Sequence, residues 1–311
     1  MPFNLRQIEV FRLVMQTRNL TECSRLLRVS QPAVSQTLKE LEGQLGLSLF
    51  VRSGNRISPT GEARALLPEI ERLLTQVGLV DSKAAELRDQ GAGSLSLAST
   101  SNVAGVVLPA AVAGFTRERP RVRLQLNAYV HRDEVLRQVR QEGADLGFLY
   151  APIDDPGLAV EPIMHARMAC VLPADSPLAD FTEITPAQLR DVAVIIAGPS
   201  GTPGLLFRNH LEELGIKLER VVETNFSYAA IGLARQGLGV FVTDPLILMT
   251  ELAAGLTIRP LVPQLPLVLA AIYTRHRPVP RLAVRFMVHL RRTLSELCRQ
   301  RAPADCETRP V

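Results

Sequence analysis

The feature that most restricts the fold of this chain is a pair of short predicted helices joined by a tight turn over residues 20–39. Ser30 can cap the second helix, and Pro32 suits its first turn, where a missing backbone N–H leaves no hydrogen bond unmade. Val34 and Leu38 begin a series of apolar residues at helical spacing, which places them on one buried face. The stretch therefore predicts a helix-turn-helix.

The exposed face of the second helix carries chemistry that suits DNA. Its hydroxyl, amide and ammonium groups match base edges and phosphates in a major groove. A helix face that is merely solvated is the alternative. The candidate DNA-binding residues in the turn and the helix are Arg28, Ser30, Gln31, Pro32, Ser35, Gln36 and Lys39.

The net charge of +4 lies entirely in the N-terminal part of the chain. Residues 1–60 contain eight basic and four acidic side chains, whereas basic and acidic side chains balance in the remaining residues. A local excess of positive charge attracts phosphate and makes binding sensitive to salt. This placement favours a nucleic-acid partner over a merely solvated surface.

A predicted β-hairpin follows the helix-turn-helix. Residues 49–60 alternate between apolar and polar side chains, with a turn at residues 54–55. Together with a first helix that carries an apolar stripe, the hairpin completes a winged helix-turn-helix domain of the α+β class over residues 1–61. The wing residues that can reach a minor groove or the DNA backbone are Arg52, Asn55 and Arg56.

Residues 4–67 resemble the N-terminal domain of LysR-type transcriptional regulators. The resemblance is nearly gapless and rests on the segments 30–35, 41–42, 45–46, 49–50 and 59–61 and on Arg52. It departs at Cys23-Ser24, where two alanines are usual. It implies a sequence-specific transcriptional regulator whose partner is double-stranded operator DNA, with RNA polymerase as a further partner if the protein is an activator.

Three short segments narrow this resemblance. Residues 4–11, 54–56 and 242–245 are similar to the branch of lysine-biosynthesis and opine-catabolism regulators. That similarity implies a small-molecule effector, an amino acid or an amino-acid derivative. The alternative is a regulator of the same family that needs no effector or that senses oxidants.

Residues 62–90 form a predicted coiled-coil linker helix. Apolar residues recur alternately four and three apart for three heptads, between charged neighbours. Two chains joined along this seam would form a homodimer, or a dimer of dimers, with recognition helices side by side. A helix that packs on its own chain is the alternative. The seam consists of Leu66, Ile70, Leu73, Val77, Val80, Ala84 and Leu87.

Strands and helices alternate over residues 94–300, which predicts an α/β effector-binding domain with largely parallel sheets. One expected helix covers residues 103–118 and another covers residues 246–253. The predicted strands are at residues 94–99, 122–127, 145–150, 168–172, 192–197, 220–223, 239–243 and 267–273.

The family resemblance implies that this domain has the two-subdomain fold of periplasmic binding proteins. Subdomain one is expected at residues 94–165 and 267–300, and subdomain two at residues 166–266. The tail over residues 301–311 is rich in arginine, proline and acidic residues, so we expect it to be flexible.

The cleft between the subdomains is the predicted effector site, because strand ends and helix N-termini meet there. Hydroxyl-rich loops can hold a carboxylate at a helix start, although the same residues are also good helix caps. Asp244 can accept a ligand ammonium or cap the following helix. The candidate effector-binding residues are Thr100, Ser101, Asn102, Ser200, Gly201, Thr202, Phe226, Ser227 and Asp244.

Other classes of protein lack support in the sequence. No pattern for a catalytic nucleophile, a phosphate loop or a metal site is visible, so we expect no enzyme, no cofactor and no metal. The segment 1–16 has no features of a secretory signal, and the uncharged segment 91–116 is interrupted by polar residues. We therefore expect a cytoplasmic protein with no membrane partner.

The four cysteines are Cys23, Cys170, Cys298 and Cys306. They form no Cys-x-x-Cys pair and have no histidine at metal-ligand spacing, so neither zinc nor a disulfide framework is expected. A reactive thiol at Cys170 or Cys298 stays open as an alternative to ordinary buried or tail thiols.

Overall fold

The structure is a computed structural model, and it describes residues 3–53, 56–88, 93–198, 201–250, 253–301 and 309–311. Contacts between residues divide the chain into two compact units, Met1–Ala84 and Ala85–Val311. Each unit has its own buried apolar core.

The first unit contains the predicted helix-turn-helix and hairpin, followed by a long helix that begins within the unit. The two strands of the hairpin pair in antiparallel fashion. The elements are α1 (Leu5–Thr17), α2 (Leu20–Leu27), α3 (Gln31–Leu45), β1 (Phe50–Ser53), β2 (Arg56–Pro59) and α4 (Gly61–Arg88).

Capping side chains decide where α2 and α3 begin. Asn19 accepts hydrogen bonds from two backbone N–H groups in the first turn of α2, and Ser30 accepts one from the backbone N–H of Ala33 at 3.4 Å. Arg28 ends α2 in the left-handed conformation, with φ at 54°, so the chain turns sharply before α3. The predicted cap at Ser30 is confirmed.

The first turns of α4 belong to the core of the winged helix. Ile70 is buried in that core, and Leu66 and Leu73 pack against the same cluster. These three seam positions therefore contact their own chain, which was the alternative to packing against a partner. The buried cluster that they join consists of Ile8, Phe11, Leu41, Leu49, Ala63 and Ile70.

The second unit is built on two sheets. Its strands are β3 (Gly93–Thr100), β4 (Val122–Tyr129), β5 (Leu146–Tyr150), β6 (Leu158–Arg167), β7 (Ala169–Pro173), β8 (Ala193–Ala197), β9 (Arg220–Thr224), β10 (Val240–Thr243), β11 (Leu256–Pro260), β12 (Pro266–Thr274) and β13 (Arg309–Pro310). Its helices are α5 (Ser101–Val106), α6 (Leu108–Glu118), α7 (Arg132–Arg140), α8 (Thr202–Glu213), α9 (Ser227–Arg235) and α10 (Arg281–Arg301).

Each sheet is the centre of one lobe. Lobe one has six strands in the order β13-β6-β12-β5-β3-β4, and lobe two has five in the order β11-β7-β10-β8-β9. The chain passes between the sheets twice, from β6 to β7 and from β11 to β12. Two sheets joined in this way form the two subdomains that the family resemblance implied.

The expectation of largely parallel sheets is wrong, because both sheets are mixed. The strands β4-β3-β5 and β9-β8-β10 form parallel cores, since their connections run through helices. In contrast, β12 runs antiparallel to β5 and β6, and β7 runs antiparallel to β10 and β11. These antiparallel strands carry the chain into or out of a lobe.

The strands β6 and β11 were missed by the sequence analysis. In β6 the pairing with β12 shifts register between Leu269 and Ala270, opposite Met164 and Pro162. A proline is tolerated at such an irregularity because a ladder hydrogen bond is already missing there. The proline obscured the strand pattern in the sequence.

Two predicted helices are shorter than expected. The helix at residues 103–118 is divided into α5 and α6, and Pro109 lies in the first turn of α6 where its missing N–H is harmless. Among the described residues of 246–253, a 3₁₀ turn at Ile247–Met249 stands in place of the expected α-helix. All three residues of that turn are buried, so tertiary packing rather than helical periodicity accounts for their apolar character.

The C-terminal residues 309–311 are ordered against lobe one, although the whole tail was expected to be flexible. β13 pairs with β6, and Arg291 donates a hydrogen bond to the Val311 carbonyl oxygen at 2.7 Å. Within the described ranges, no helix is long and apolar enough to cross a membrane.

Gly204 is required where α8 passes over the end of β8. A Cβ atom at this position would lie 2.0 Å from the Ala197 carbonyl oxygen, which is backbone and cannot move aside. We expect Gly204→Ala to lower the free energy of unfolding by about 1–3 kcal/mol, because the added methyl group overpacks this contact. Thermal unfolding measures the change. Gly232→Ala is the matched control, because a Cβ there meets nothing within 4 Å in α9. Equal unfolding temperatures for both variants would contradict the prediction.

Candidate functional site

The recognition helix α3 separates buried apolar residues from an exposed polar face. Val34, Leu38 and Leu41 are at most 2% exposed and fix the helix to the core of the first unit. The predicted DNA-binding residues lie on the other side or in the turn before it. Arg28, Ser30, Pro32, Gln36 and Lys39 are exposed, and Gln31 and Ser35 are half-buried.

One predicted DNA-binding side chain already has a neighbour on its own helix. The Gln36 amide donates a hydrogen bond to the Glu40 carboxylate at 2.9 Å. Both residues are exposed, so DNA can replace this contact at little cost. In the wing, the backbones of Arg52 and Arg56 belong to the hairpin, but their side chains and Asn55 lie outside the described residues.

The later seam positions of α4 differ from the first ones in exposure. Val80 is 68% exposed, whereas Val77 and Ala84 are half-buried. The side chain of Leu87 lies outside the described residues. An apolar side chain as exposed as Val80 on a helix is a position where a partner chain can add contacts.

A cleft opens between the ends of the strands in the second unit, and the space in it, open solvent included, is about 570 Å³. Its walls bring together six of the predicted effector-binding residues from both lobes, namely Thr100, Ser101, Asn102, Gly201, Thr202 and Ser227. Ser200 lies outside the described residues.

The sequence analysis missed several residues of the cleft. Most of these follow or end a strand of one of the parallel cores, where neighbouring strand ends meet. A position at or just after the end of a predicted parallel strand could therefore have indicated that a residue lines the cleft. The missed residues are Val130, Arg132, Tyr150, Ala197, Gly198, Pro203 and Asn225.

Arg132 is the cation in the described wall of the cleft. It begins α7 in lobe one, and one of its nitrogens lies 3.4 Å from the Thr202 hydroxyl of lobe two. The other terminal nitrogen donates to the Pro152 carbonyl oxygen. Within the described ranges, no carboxylate lies at ion-pair distance from Arg132. Its charge is therefore available to an anionic ligand.

Thr202 and Ser101 use their hydroxyls within the protein. Thr202 is 9% exposed, and its hydroxyl donates to the Tyr150 carbonyl oxygen of lobe one at 3.4 Å. Ser101 donates to the Tyr129 carbonyl oxygen at 3.0 Å. The Thr202 contact and the Arg132 contact both cross the cleft, so they link the two lobes directly.

Asp244 is fully buried and does not line the cleft. Its carboxylate accepts hydrogen bonds from the Leu246 backbone N–H at 3.0 Å and from the Asn102 side-chain amide at 3.1 Å. Burial raises the pKa of this carboxyl above its usual value, and the Asn102 hydrogen bond opposes part of the rise. A direct contact with a ligand ammonium is therefore not what this geometry offers.

Phe226 also lies outside the cleft wall, although it was a candidate effector-binding residue. Its side chain is 48% exposed and stacks on the Tyr228 ring at a centroid distance of 5.3 Å. The neighbouring Asn225 and Ser227 face the cleft instead.

The described cysteines do not resemble reactive thiols. Cys23 and Cys170 are buried, and Cys298 is half-buried. Burial raises the pKa of the Cys23 and Cys298 thiols, which disfavours the thiolate that reacts with oxidants. Cys306 lies outside the described residues, and within the described part of the chain no cluster of side chains could hold a metal ion.

Two family descriptions match this chain. Residues 5–64 match the bacterial regulatory helix-turn-helix protein, lysR family, and residues 88–295 match the LysR substrate binding domain. The chain belongs to the LysR family of transcriptional regulators. This confirms the predicted family, and it identifies the protein as a DNA-binding regulator of transcription with an effector-binding domain.

Relatives of this LysR-family regulator match along most of its length. The regulatory protein NocR of Agrobacterium fabrum is 32% identical over 292 residues, which cover 94% of this chain and 97% of NocR. The octopine catabolism/uptake operon regulatory protein OccR of Rhizobium meliloti is 32% identical over 78% of this chain and 80% of its own length.

A solved structure supports the fold. Full-length CbnR in complex with its target DNA has a TM-score of 0.75 to this LysR-family chain, covering 94% of it and 100% of CbnR, with 22% sequence identity. The predicted fold class, a winged helix-turn-helix and linker helix followed by a two-subdomain α/β domain, is confirmed.

Proposed function

We propose that this LysR-family regulator senses an amino acid or amino-acid derivative in the cleft of its second unit. The proposal rests on the position of Arg132. Its guanidinium lies in the cleft wall without a carboxylate partner among the described residues. Arginine binds carboxylates through paired, charge-assisted hydrogen bonds, so the cleft favours a ligand that carries a carboxylate.

Ligand binding would act on the contact between the lobes. The present contact of Arg132 with the Thr202 hydroxyl is 3.4 Å long, which is weak for a hydrogen bond to a charged group. A ligand carboxylate would compete with Thr202 for the guanidinium, and a ligand can shift a conformational equilibrium by binding one state more tightly. Occupancy of the cleft would thus alter how the lobes are held together.

Similarity supports the choice of ligand class. The relative OccR is named for an octopine catabolism and uptake operon, and octopine is an amino-acid derivative. Octopine and the standard L-amino acids are therefore the probes to test first. We propose a cytoplasmic location, since both operator DNA and such ligands occur there.

The effector proposal is tested by ligand binding to the full chain. A ligand at about 100 times its dissociation constant stabilises the folded state by about 2.7 kcal/mol, which a thermal shift detects. The DNA for this test is a fragment that the protein binds when it is offered a pool of random sequences. We expect at least one L-amino acid or octopine to raise the unfolding temperature of the protein and to change its gel shift with that fragment. A panel in which no probe alters either measurement would refute the proposed ligand class.

The residues Gln31 and Ser35 are proposed to read base edges from α3. We expect the double variant Gln31→Ala plus Ser35→Ala to lose about 10- to 100-fold in affinity for the selected DNA, because a specific base contact contributes about 1–3 kcal/mol. Binding to unrelated DNA should change little, since it rests on phosphate contacts. Gln44→Ala, at an exposed position near the end of the same helix, is the control. An unchanged footprint would contradict the assignment.

A further inference from the structure

Asp244 controls the orientation of Asn102 in the cleft wall. The Asn102 amide donates to the buried carboxylate at 3.1 Å, across the two lobes. The NH₂ group of Asn102 is the donor in this contact, so the amide is turned with its NH₂ group towards Asp244. Its carbonyl oxygen, Oδ1, therefore points away from Asp244, and within the described ranges no group donates a hydrogen bond to it. Asn102 presents an acceptor.

Tyr150 occupies a comparable position. It lines the cleft, and its buried hydroxyl interacts with the side chain of Asp244. The negative charge of Asp244 attracts the hydroxyl hydrogen, which leaves the lone pairs of the oxygen for another donor. Among the described residues no group donates a hydrogen bond to this oxygen, so a ligand can supply the donor.

The site has two ends: Arg132 lines the cleft at one, and at the other Asn102 and Tyr150 line it in front of the buried Asp244. No cation lies within ion-pair distance of Asp244, and no carboxylate lies that close to Arg132, among the residues described. Tyr150 connects the two ends, because its carbonyl oxygen accepts from Thr202 beside Arg132 while its hydroxyl lies beside Asp244. A zwitterion could place its carboxylate at Arg132 and its ammonium at Asn102 and Tyr150.

We propose that Asp244 is a positioning residue that makes Asn102 and Tyr150 acceptors for a protonated amine, so that the cleft selects α-amino acids and their N-substituted derivatives over the matching 2-hydroxy acids. Asp244 acts through its two neighbours and does not touch the ligand. The inference rests on the proposed function, because it requires that Arg132 binds the ligand carboxylate.

The selectivity is tested by calorimetry with matched pairs of probes. Each L-amino acid that binds is compared with its 2-hydroxy acid, and octopine is compared with the ether in which oxygen replaces the secondary amine. We expect the wild-type chain to prefer the amine of each pair by about 10- to 100-fold, since hydrogen bonds to charged groups are stronger than neutral ones.

Three variants test the individual residues. Tyr150→Phe and Asn102→Leu are each expected to reduce the preference for the amine about tenfold. Asp244→Asn should reduce it as well, because an amide in that place no longer directs its neighbours, while affinity for the hydroxy acid stays within about threefold. Tyr129→Phe is the matched control, since Tyr129 does not line the cleft. Tyr150→Phe and Asn102→Leu keep the test valid if Asp244→Asn fails to fold.

The outcomes separate the inference from the proposed function. Equal binding of amino and hydroxy acids by the wild-type chain would overturn the inference and leave a carboxylate sensor standing. If Asp244→Asn lowers the affinity for amino acids and for hydroxy acids equally, Asp244 has only a structural role. If no member of either series binds, the proposed function fails and the inference fails with it.

Discussion

Replacing Arg132 by glutamine is expected to shift the response of this regulator to ligand concentrations about 10- to 100-fold higher. Glutamine keeps a polar side chain of similar reach but removes the charge and the paired donors that hold a carboxylate. A hydrogen-bonded contact to a charged group contributes about 1.5–3 kcal/mol, which corresponds to a loss of about 10- to 100-fold in affinity. Calorimetry with the probe that binds the wild-type chain measures this loss directly.

DNA binding without ligand should persist in Arg132→Gln, because the recognition helix lies in the other unit. Arg137→Gln is the matched control on the same helix. The Arg137 guanidinium is exposed and pairs with Glu134 at 2.6 Å, and an exposed pair contributes at most about 1 kcal/mol. Ligand binding that survives unchanged in Arg132→Gln would remove the basis of the proposed function.

Replacing Val80 by aspartate is expected to break the dimer that we propose along α4. Val80 is 68% exposed within its own chain and lies on the seam, so a charge there would be buried only against a partner. Sedimentation or light scattering over a concentration series should show the mass halved. Affinity for a two-fold operator should fall more than about 100-fold, because linked sites raise affinity by a factor of that order.

Leu66, Ile70 and Leu73 are unsuitable for the same test, because they pack on the core of their own winged helix. An aspartate at any of them would unfold the domain and lower DNA binding for that reason alone. Val288→Asp is the better comparison, since Val288 is 67% exposed on α10 and is not part of the seam. A Val80→Asp chain of unchanged mass would show that the seam does not hold two copies together.

The winged helix could be predicted in detail because its signals are local. The cap at Ser30, the proline after it and the apolar spacing of Val34 and Leu38 each act within a few residues. The lobes were harder to predict. The strand β6 contains a proline that sequence patterns read as a break, and only its pairing with β12 makes that proline acceptable.

The candidate site was predicted in part. Hydroxyl-bearing residues such as Thr100 and Ser101 stand out because they follow a strand and open a helix. Arg132 and Tyr150 do not stand out, since a basic residue at a helix start and an aromatic residue at a strand end are common in any α/β chain. Their importance depends on which strand ends meet, and sheet order decides that.

The sequence alone determined the helix-turn-helix, because caps, spacing and charge are properties of neighbouring residues, and its resemblance to LysR-type regulators gave the family and implied an effector domain. Only the tertiary structure decided the roles within the cleft. Asn102 and Asp244 are 142 residues apart, and they meet because the two lobes close on each other. The fold also buries Asp244 and leaves Arg132 without a carboxylate among the described residues, and burial and pairing decide what a charged group can bind.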